Sequence, residues 1–205
     1  MYLVKSPLLL KWYYPSLVWN KVRDQKVIYL TFDDGPIPDV TTFVLKTLKA
    51  FDARATFFCV GDNIVKHPDI FQNLLDDGHQ VGNHTFNHLR GWATPDAEYL
   101  QNFQQCQQLT QTNLFRPPYG RIKKSQVRLI KQTCPQVQIV MWDVLSGDFD
   151  TSLTPEDCFR NVIQYTENGS IVVFHDHLKA MDRLEYTLPK VLQHFREQGY
   201  TFGLL

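Results

Sequence analysis

Val27-Ile28-Tyr29-Leu30-Thr31-Phe32-Asp33-Asp34-Gly35-Pro36 places two adjacent carboxylates at the end of an apolar, β-branched run. The run reads as a strand, and Gly35-Pro36 turns the backbone directly after the acids. Side chains alternate between the two faces of a strand, so neighbouring acids point to different places. One can ligate a metal while the other stays free as a base. An Asp-Gly-Pro turn can also form with no chemistry attached, so the rest of the chain has to decide.

A histidine pair follows in Gly82-Asn83-His84-Thr85-Phe86-Asn87-His88. Neutral imidazoles at this spacing, joined by a carboxylate from elsewhere, make a three-ligand site that leaves a position open for water. Arg116-Pro117-Pro118-Tyr119-Gly120 and Ile171-Val172-Val173-Phe174-His175-Asp176 are two further chemistry-bearing stretches. Around them, short β-rich runs alternate with helical patterns. Strands are expected at 26–33, 55–60, 79–83, 113–116, 137–142, 170–175 and 200–204. Val40, Val44, Leu48 and Phe51 form a helical stripe ahead of the second run. Thr154-Pro155-Glu156-Asp157 reads as an N-cap with Pro in the first helical position, and Gly169 as the matching C-cap. Such alternation implies parallel strands joined by right-handed crossovers. Asp33, Asp34, His84, Arg116, Asp148 and His175 all fall at or just beyond C-terminal strand ends. That is the face on which a (β/α) barrel assembles its site.

Taken in order, the Asp-Asp turn, the His-Thr-x-x-His, the Arg-Pro-Pro-Tyr-Gly and His175 resemble the polysaccharide deacetylases of carbohydrate esterase family four, which share the NodB homology domain. The resemblance runs from about Lys26 to the C-terminus. It implies an α/β fold, a distorted (β/α) barrel with about seven parallel strands. A catalytic domain would cover 26–205, with an N-terminal segment, 1–25, packed on it. Asp34, His84 and His88 match the family's metal ligands, for a divalent ion that is zinc first, with cobalt or nickel as alternatives. Asp33 matches the general base and His175 the general acid. Arg116 would hold Asp33 ionised, Asp148 would orient His175, and the Tyr119 N–H would serve as oxyanion donor. Thr85 would orient the histidine loop or a ligand. Tyr119, Pro118, Phe149 and Trp92 are the candidates for contact with sugar. The implied reaction removes N-acetyl groups from an N-acetylglucosamine-containing glycan, peptidoglycan or a chitin-like oligomer. Another acetylated sugar, a small amide or ester, or a catalytically silent sugar-binding role are the alternatives.

One stretch departs from the family. Its Asp-x-x-Asp-Trp is here Leu145-Ser146-Gly147-Asp148-Phe149, which changes the wall of the acetyl pocket. Asp143 is a candidate to compensate for the lost acid.

Bulk properties narrow the field. The 205 residues suit one domain, and 21 Lys plus Arg balance 21 Asp plus Glu, leaving no net field to draw nucleic acid or anionic lipid. The partner expected is a carbohydrate. Cys59, Cys106, Cys134 and Cys158 form no Cys-x-x-Cys pair and read as small hydrophobes in a reducing compartment. Near the N-terminus the longest aliphatic run is Leu8-Leu9-Leu10, too short for a signal core or a membrane span. A cytoplasmic location follows as the expectation, with membrane association or the cell envelope as alternatives. An interfacial anchor of Trp12, Tyr13, Tyr14 and Trp19 with Lys5, Lys11 and Lys21 is the less favoured reading of this segment. His67 and His194 are expected to face solvent, His79 to be structural and His177 to lack a catalytic role.

Overall fold

The structure is a computed structural model that describes residues 2–205. Its strands are β1 (Val27–Asp34), β2 (Thr56–Cys59), β3 (Gln80–Asn83), β4 (Leu114–Phe115), β5 (Gln138–Ile139), β6 (Val144–Leu145), β7 (Ile171–His175) and β8 (Thr201–Phe202). The helices are α1 (Leu8–Tyr13), α2 (Val40–Ala50), α3 (Gly61–Lys66), α4 (Pro68–Asp76), α5 (Asp96–Thr110), α6 (Lys124–Thr133), α7 (Pro155–Tyr165) and α8 (Met181–Glu197). The sheet runs β5-β4-β3-β2-β1-β7-β6, every pairing parallel, and β8 adds to the start of β1. This is the expected distorted (β/α) barrel of seven parallel strands, curled but not closed.

The hydrophobic pattern of β1 explains its central place. Phe32 points into the core, where it stacks between Phe57 at 5.0 Å and Phe174 at 5.7 Å. Burial of each such side chain contributes about 1.5–3 kcal/mol. The stripes of α2 and α8 cover the same core with Val40, Val44 and Leu48 and with Leu184, Leu188 and Leu192. The ladder then sets the site: Asp33 lies opposite His175 on one side and Phe58 on the other, and Cys59 lies opposite Asn83. The carboxylate turn, His175 and the start of the His84 loop therefore meet at one sheet end.

Two expectations need correction. The run 137–142 yields only the two-residue β5, and the seventh strand of the sheet is β6, while the run 200–204 supplies β8 off the main path. Strand pairing across so short a stretch carries no alternation for the sequence to show. Gly169, at φ 74°, does not cap α7, which ends at Tyr165 with Thr166 as its C-cap. It sits in the turn before β7, where an added Cβ would lie 2.5 Å from the Lys21 carbonyl. Thr154 does cap α7, accepting the Asp157 N–H at 3.1 Å.

The open seam between β5 and β6 is crossed by the N-terminal segment. Val18 exchanges hydrogen bonds with Ile139 and Met141, while Val4 and Ser6 bond to Leu145 and Asp143. These contacts cover exposed sheet edges that would otherwise carry unpaired backbone groups. Lys5, Lys11 and Arg23 converge on the buried Asp143 carboxylate at 2.8, 2.7 and 3.1 Å, and Trp19 is buried. The four cysteines are free. Among the described residues, no helix is long and apolar enough to cross a membrane.

Candidate active site

Asp34 ends β1, and its side chain leaves the sheet toward His84 and His88. Asp34 Oδ1 lies 3.1 Å from His88 Nε2 and 3.8 Å from His84 Nε2. The closer approach lacks hydrogen-bond geometry, so Asp34 Oδ1 is a buried carboxylate oxygen without a hydrogen-bond partner. These three side chains form the one cluster of potential metal-ligating groups among the described residues. The donor set suits a borderline divalent ion and leaves room for a non-protein ligand.

Their protonation states fit as well. Burial pushes the His84 imidazole down to about 4, keeping it neutral. His84 Nδ1 lies 2.7 Å from the Arg116 carbonyl, which makes Nδ1 the protonated nitrogen and leaves the Nε2 lone pair facing Asp34. Burial alone would raise the Asp34 carboxyl, but the neighbouring imidazoles hold it below the usual carboxylate range.

Asp33 points the other way along β1, as the alternation requires. It meets Arg116 Nη1 at 2.7 Å. The Arg116 side chain is fully buried, and its remaining donors go to Thr31 Oγ1 at 2.7 Å, the Met141 carbonyl at 2.9 Å and the Val140 carbonyl at 3.3 Å. Such a clamp fixes the charged carboxylate at the cleft floor. On the neighbouring strand, His175 Nδ1 lies 2.8 Å from Asp148 Oδ1. Burial would lower the His175 pKa, but Asp148, with Asp34 and Asp33, outweighs it and raises the imidazole to about 9. At neutral pH it is a cation that can present a proton on Nε2.

Asp33, Asp34, His84, His88, Tyr119, Leu145, Phe149 and His175 share one cleft of about 620 Å³. Backbone strain concentrates there. Asp34 (φ 91°), Thr85 (φ 62°), His88 (φ 54°) and Tyr119 (φ 60°) all adopt left-handed conformations that non-glycine residues rarely take. Thr85 is held so by the Asn83 side chain, which accepts its N–H at 2.8 Å, and by its own Oγ1, which accepts the Leu89 N–H at 3.1 Å. The strained turn at Tyr119 leaves its N–H without a protein acceptor among the described residues.

Not every sequence candidate reaches the cleft. Pro118 is buried beneath the Tyr119 turn, and Trp92 lies outside the lining with Arg121 stacked 5.0 Å over its ring. Asp143 cannot replace the lost family acid, because its oxygens are taken by Lys5, Lys11, Arg23 and Ser170 at the seam. His79 accepts the Ala55 N–H and is structural, while His177 lines the cleft rim.

The structure also adds residues that sequence reasoning passed over. Asp176 is fully buried and accepts hydrogen bonds from the Gly35 N–H at 2.9 Å and Thr41 Oγ1 at 2.6 Å. A Cβ at Gly35 would collide with it at 1.9 Å. The glycine of the turn is thus required by a carboxyl from the residue that follows β7. Tyr2 also lines the cleft, its ring 5.0 Å from Phe149, whose ring in turn is 5.0 Å from His175. Asp176 could have been noticed as a charged residue following the apolar β7 run, whereas nothing in the sequence signals Tyr2.

A sequence profile of the polysaccharide deacetylase family matches residues 20–135. A peptidoglycan-N-acetylglucosamine deacetylase of Bacillus cereus is 31% identical over 194 residues, which cover 91% of this chain and 89% of that protein. The chain belongs to the polysaccharide deacetylase family. A Listeria monocytogenes peptidoglycan-N-acetylglucosamine deacetylase is 33% identical over 89% of the chain, but the match spans only 38% of that longer protein. Among solved structures, a peptidoglycan N-acetylglucosamine deacetylase in complex with 4-naphthalen-1-yl-N-oxidanyl-benzamide superposes with a TM-score of 0.89 at 25% identity. That match covers 98% of this chain and 95% of its counterpart. In this family member, as the geometry above shows, the paired carboxylates, the histidine loop and His175 converge on one cleft.

Proposed function

We propose that this chain is a metal-dependent deacetylase that hydrolyses the N-acetyl group of an N-acetylglucosamine-containing glycan, peptidoglycan first. The observation that carries the reading is a pair of preset proton carriers beside one three-ligand set. Asp33 is clamped by Arg116 at 2.7 Å, and His175 is held by Asp148 at 2.8 Å.

Asp34, His84 and His88 would hold the ion, and the buried, unpartnered Asp34 Oδ1 is the feature that fits a cation best. When bound, such an ion supplies Lewis acidity, bringing a water's pKa toward about 7 and polarising a carbonyl. The protein's own groups account for the remaining chemistry. Asp33 accepts a proton from the attacking water as the water oxygen bonds to the acetyl carbon. The resulting oxyanion accepts a hydrogen bond from the Tyr119 N–H, a kind of donor whose loss costs other hydrolases about 2.7–4 kcal/mol. His175 then delivers its Nε2 proton to the departing nitrogen as the C–N bond breaks. Acetate and a free amino sugar are the products.

The substrate class rests on the relatives, whose names specify peptidoglycan N-acetylglucosamine. Such a substrate lies in the cell envelope, which favours that location over the cytoplasmic expectation. The aromatic rings of Phe149 and Tyr2 beside His175 suit stacking on the sugar that carries the leaving amine.

Acetate release from N-acetylglucosamine oligomers tests the reading, comparing metal-loaded protein, chelated protein and Asp33→Asn. Release confined to the loaded wild type supports it. Equal release from the chelated protein would overturn metal dependence, and no release from the loaded wild type would overturn the substrate class.

A further inference from the structure

Helix α1 is built the wrong way round for a free surface. At roughly 100° per residue, Leu8, Leu9, Trp12 and Tyr13 share one arc and Lys11 lies outside it. An ordinary surface helix would turn the apolar arc inward. Here Lys11 faces inward, its Nζ donating to Asp143 Oδ1 at 2.7 Å and to Asn20 Oδ1 at 3.1 Å. The apolar arc faces solvent instead, with Leu8 81%, Trp12 79% and Leu9 71% exposed. None of the residues of α1 is buried, and Leu3 lies exposed on the same N-terminal segment. Single exposed apolar residues are ordinary, but a contiguous group held in place is not.

The charge beside this face indicates its partner. Lys124 Nζ sits 3.9 Å from the Tyr13 ring centroid, and Arg128 shares with it a hollow lined by Tyr13, Tyr14 and Pro15. Neither cation has a carboxylate partner among the described residues. Leucines that can enter acyl chains, Trp and Tyr rings suited to the headgroup level, and unpaired cations together match an anionic lipid surface.

We propose that α1 is an interfacial anchor that docks the protein on a bilayer containing anionic lipid. The chain as a whole carries no net charge, so attraction depends on this patch. The anchor differs from the one the sequence suggested, because Trp19 is buried and Lys5 and Lys11 are engaged by Asp143. It is continuous with the seam segment whose Tyr2 lines the cleft, so docking would hold the cleft near the membrane surface.

Co-sedimentation of the full chain with vesicles of phosphatidylcholine and phosphatidylglycerol, against phosphatidylcholine alone, tests the proposal. Wild type should bind the anionic vesicles, and added salt should release it. A Leu8→Ser/Leu9→Ser variant and a Lys124→Gln/Arg128→Gln variant should each bind at least about tenfold more weakly, in line with the loss of buried apolar area or of two cations. Unchanged thermal melting would show both variants folded, and unchanged acetate release from soluble oligomers by the leucine variant would separate docking from catalysis. Equal vesicle binding by wild type and the leucine variant would overturn the proposal. So would absence of binding by the wild type. A wild-type dimer that the leucine variant converts to monomer, without vesicle binding, would instead assign the face to a second copy.

Discussion

Asp148 holds His175 at two points: Oδ1 lies 2.8 Å from the ring Nδ1, and Oδ2 accepts the backbone N–H of the same residue at 2.7 Å. The first contact supplies charge and the second fixes the ring relative to β7. Because the His175 pKa is raised to about 9, the acid form is present at neutral pH and is lost as pH rises through that value. The same shift stabilises the fold fully below the unfolded histidine pKa of about 6.5, with that contribution fading toward pH 9. Asp148→Asn keeps the shape and removes the charge. It should lower kcat by about 10²–10³ and move the alkaline limb of the pH–rate profile to lower pH. A profile with unchanged limbs would show that Asp148 does not set the acid.

Arg116 makes the opposite arrangement, a buried cation whose one charged partner is Asp33. Its planar fork reaches Asp33, Thr31 and two carbonyls at once, a pattern an ammonium cannot reproduce. Arg116→Lys should therefore cost about 3 kcal/mol in chemical denaturation as well as activity, because it leaves buried partners unpaired. Asp33→Asn should abolish acetate release while leaving metal binding intact, as read by calorimetry. Loss of metal binding in Asp33→Asn would mean that both aspartates are ligands.

Asp34, His84 and His88 should respond as a unit to divalent cations. A ligand present at a hundred times its Kd stabilises the native state by about 2.7 kcal/mol. Zinc, cobalt or nickel should accordingly raise Tm in the wild type and leave the His84→Ala variant unmoved. Chelation should reverse the shift. A similar rise in both proteins would place the bound ion elsewhere.

How much of this was legible in the chain follows from where information resides. The apolar runs around Leu30, Phe57 and Val172 marked the central strands, and the placement of Asp33, His84 and His175 at their ends marked the face that carries the cleft. Local pattern could not reveal β6, which has two residues and takes its identity from pairing with β7. Asp143 likewise looked like a spare acid near Asp148. Its actual use depends on Lys5, Lys11 and Arg23, more than a hundred positions away in the chain. The Tyr2–Phe149 contact is equally non-local, and only the path of the N-terminal segment across the open seam brings it about.

The Asp143 cluster makes its own prediction. Burial would raise this carboxyl, but hydrogen bonds from Lys11, Lys5 and Ser170 outweigh burial and hold it below the usual range. A depressed pKa contributes stability that is present above the unfolded value of about 3.9 and lost as pH falls through the folded one. Asp143→Asn should cost about 2–3 kcal/mol, less than a fully buried pair because its lysine and arginine partners keep some solvent contact. The variant should also flatten the acid limb of stability against pH in urea titrations. An unaltered acid limb would mean that other carboxylates govern acid unfolding.

Tyr2 is the most exposed of these ideas to a simple test. Its ring packs on Phe149, and its hydroxyl donates to Asp150 Oδ2 at 2.9 Å, so the two aromatic rings form one wall beside His175. If that wall stacks on the sugar, Tyr2→Ala should raise KM about fivefold, equivalent to roughly 1 kcal/mol of aromatic contact, with kcat little changed. Tyr2→Phe keeps the ring and loses only the bond to Asp150, so it should behave like the wild type. A fall in kcat at constant KM would instead mean that Tyr2 acts through Phe149 on the placement of His175. Loss of both parameters in Tyr2→Phe would point to the hydroxyl, and hence to Asp150, as the element that shapes the cleft.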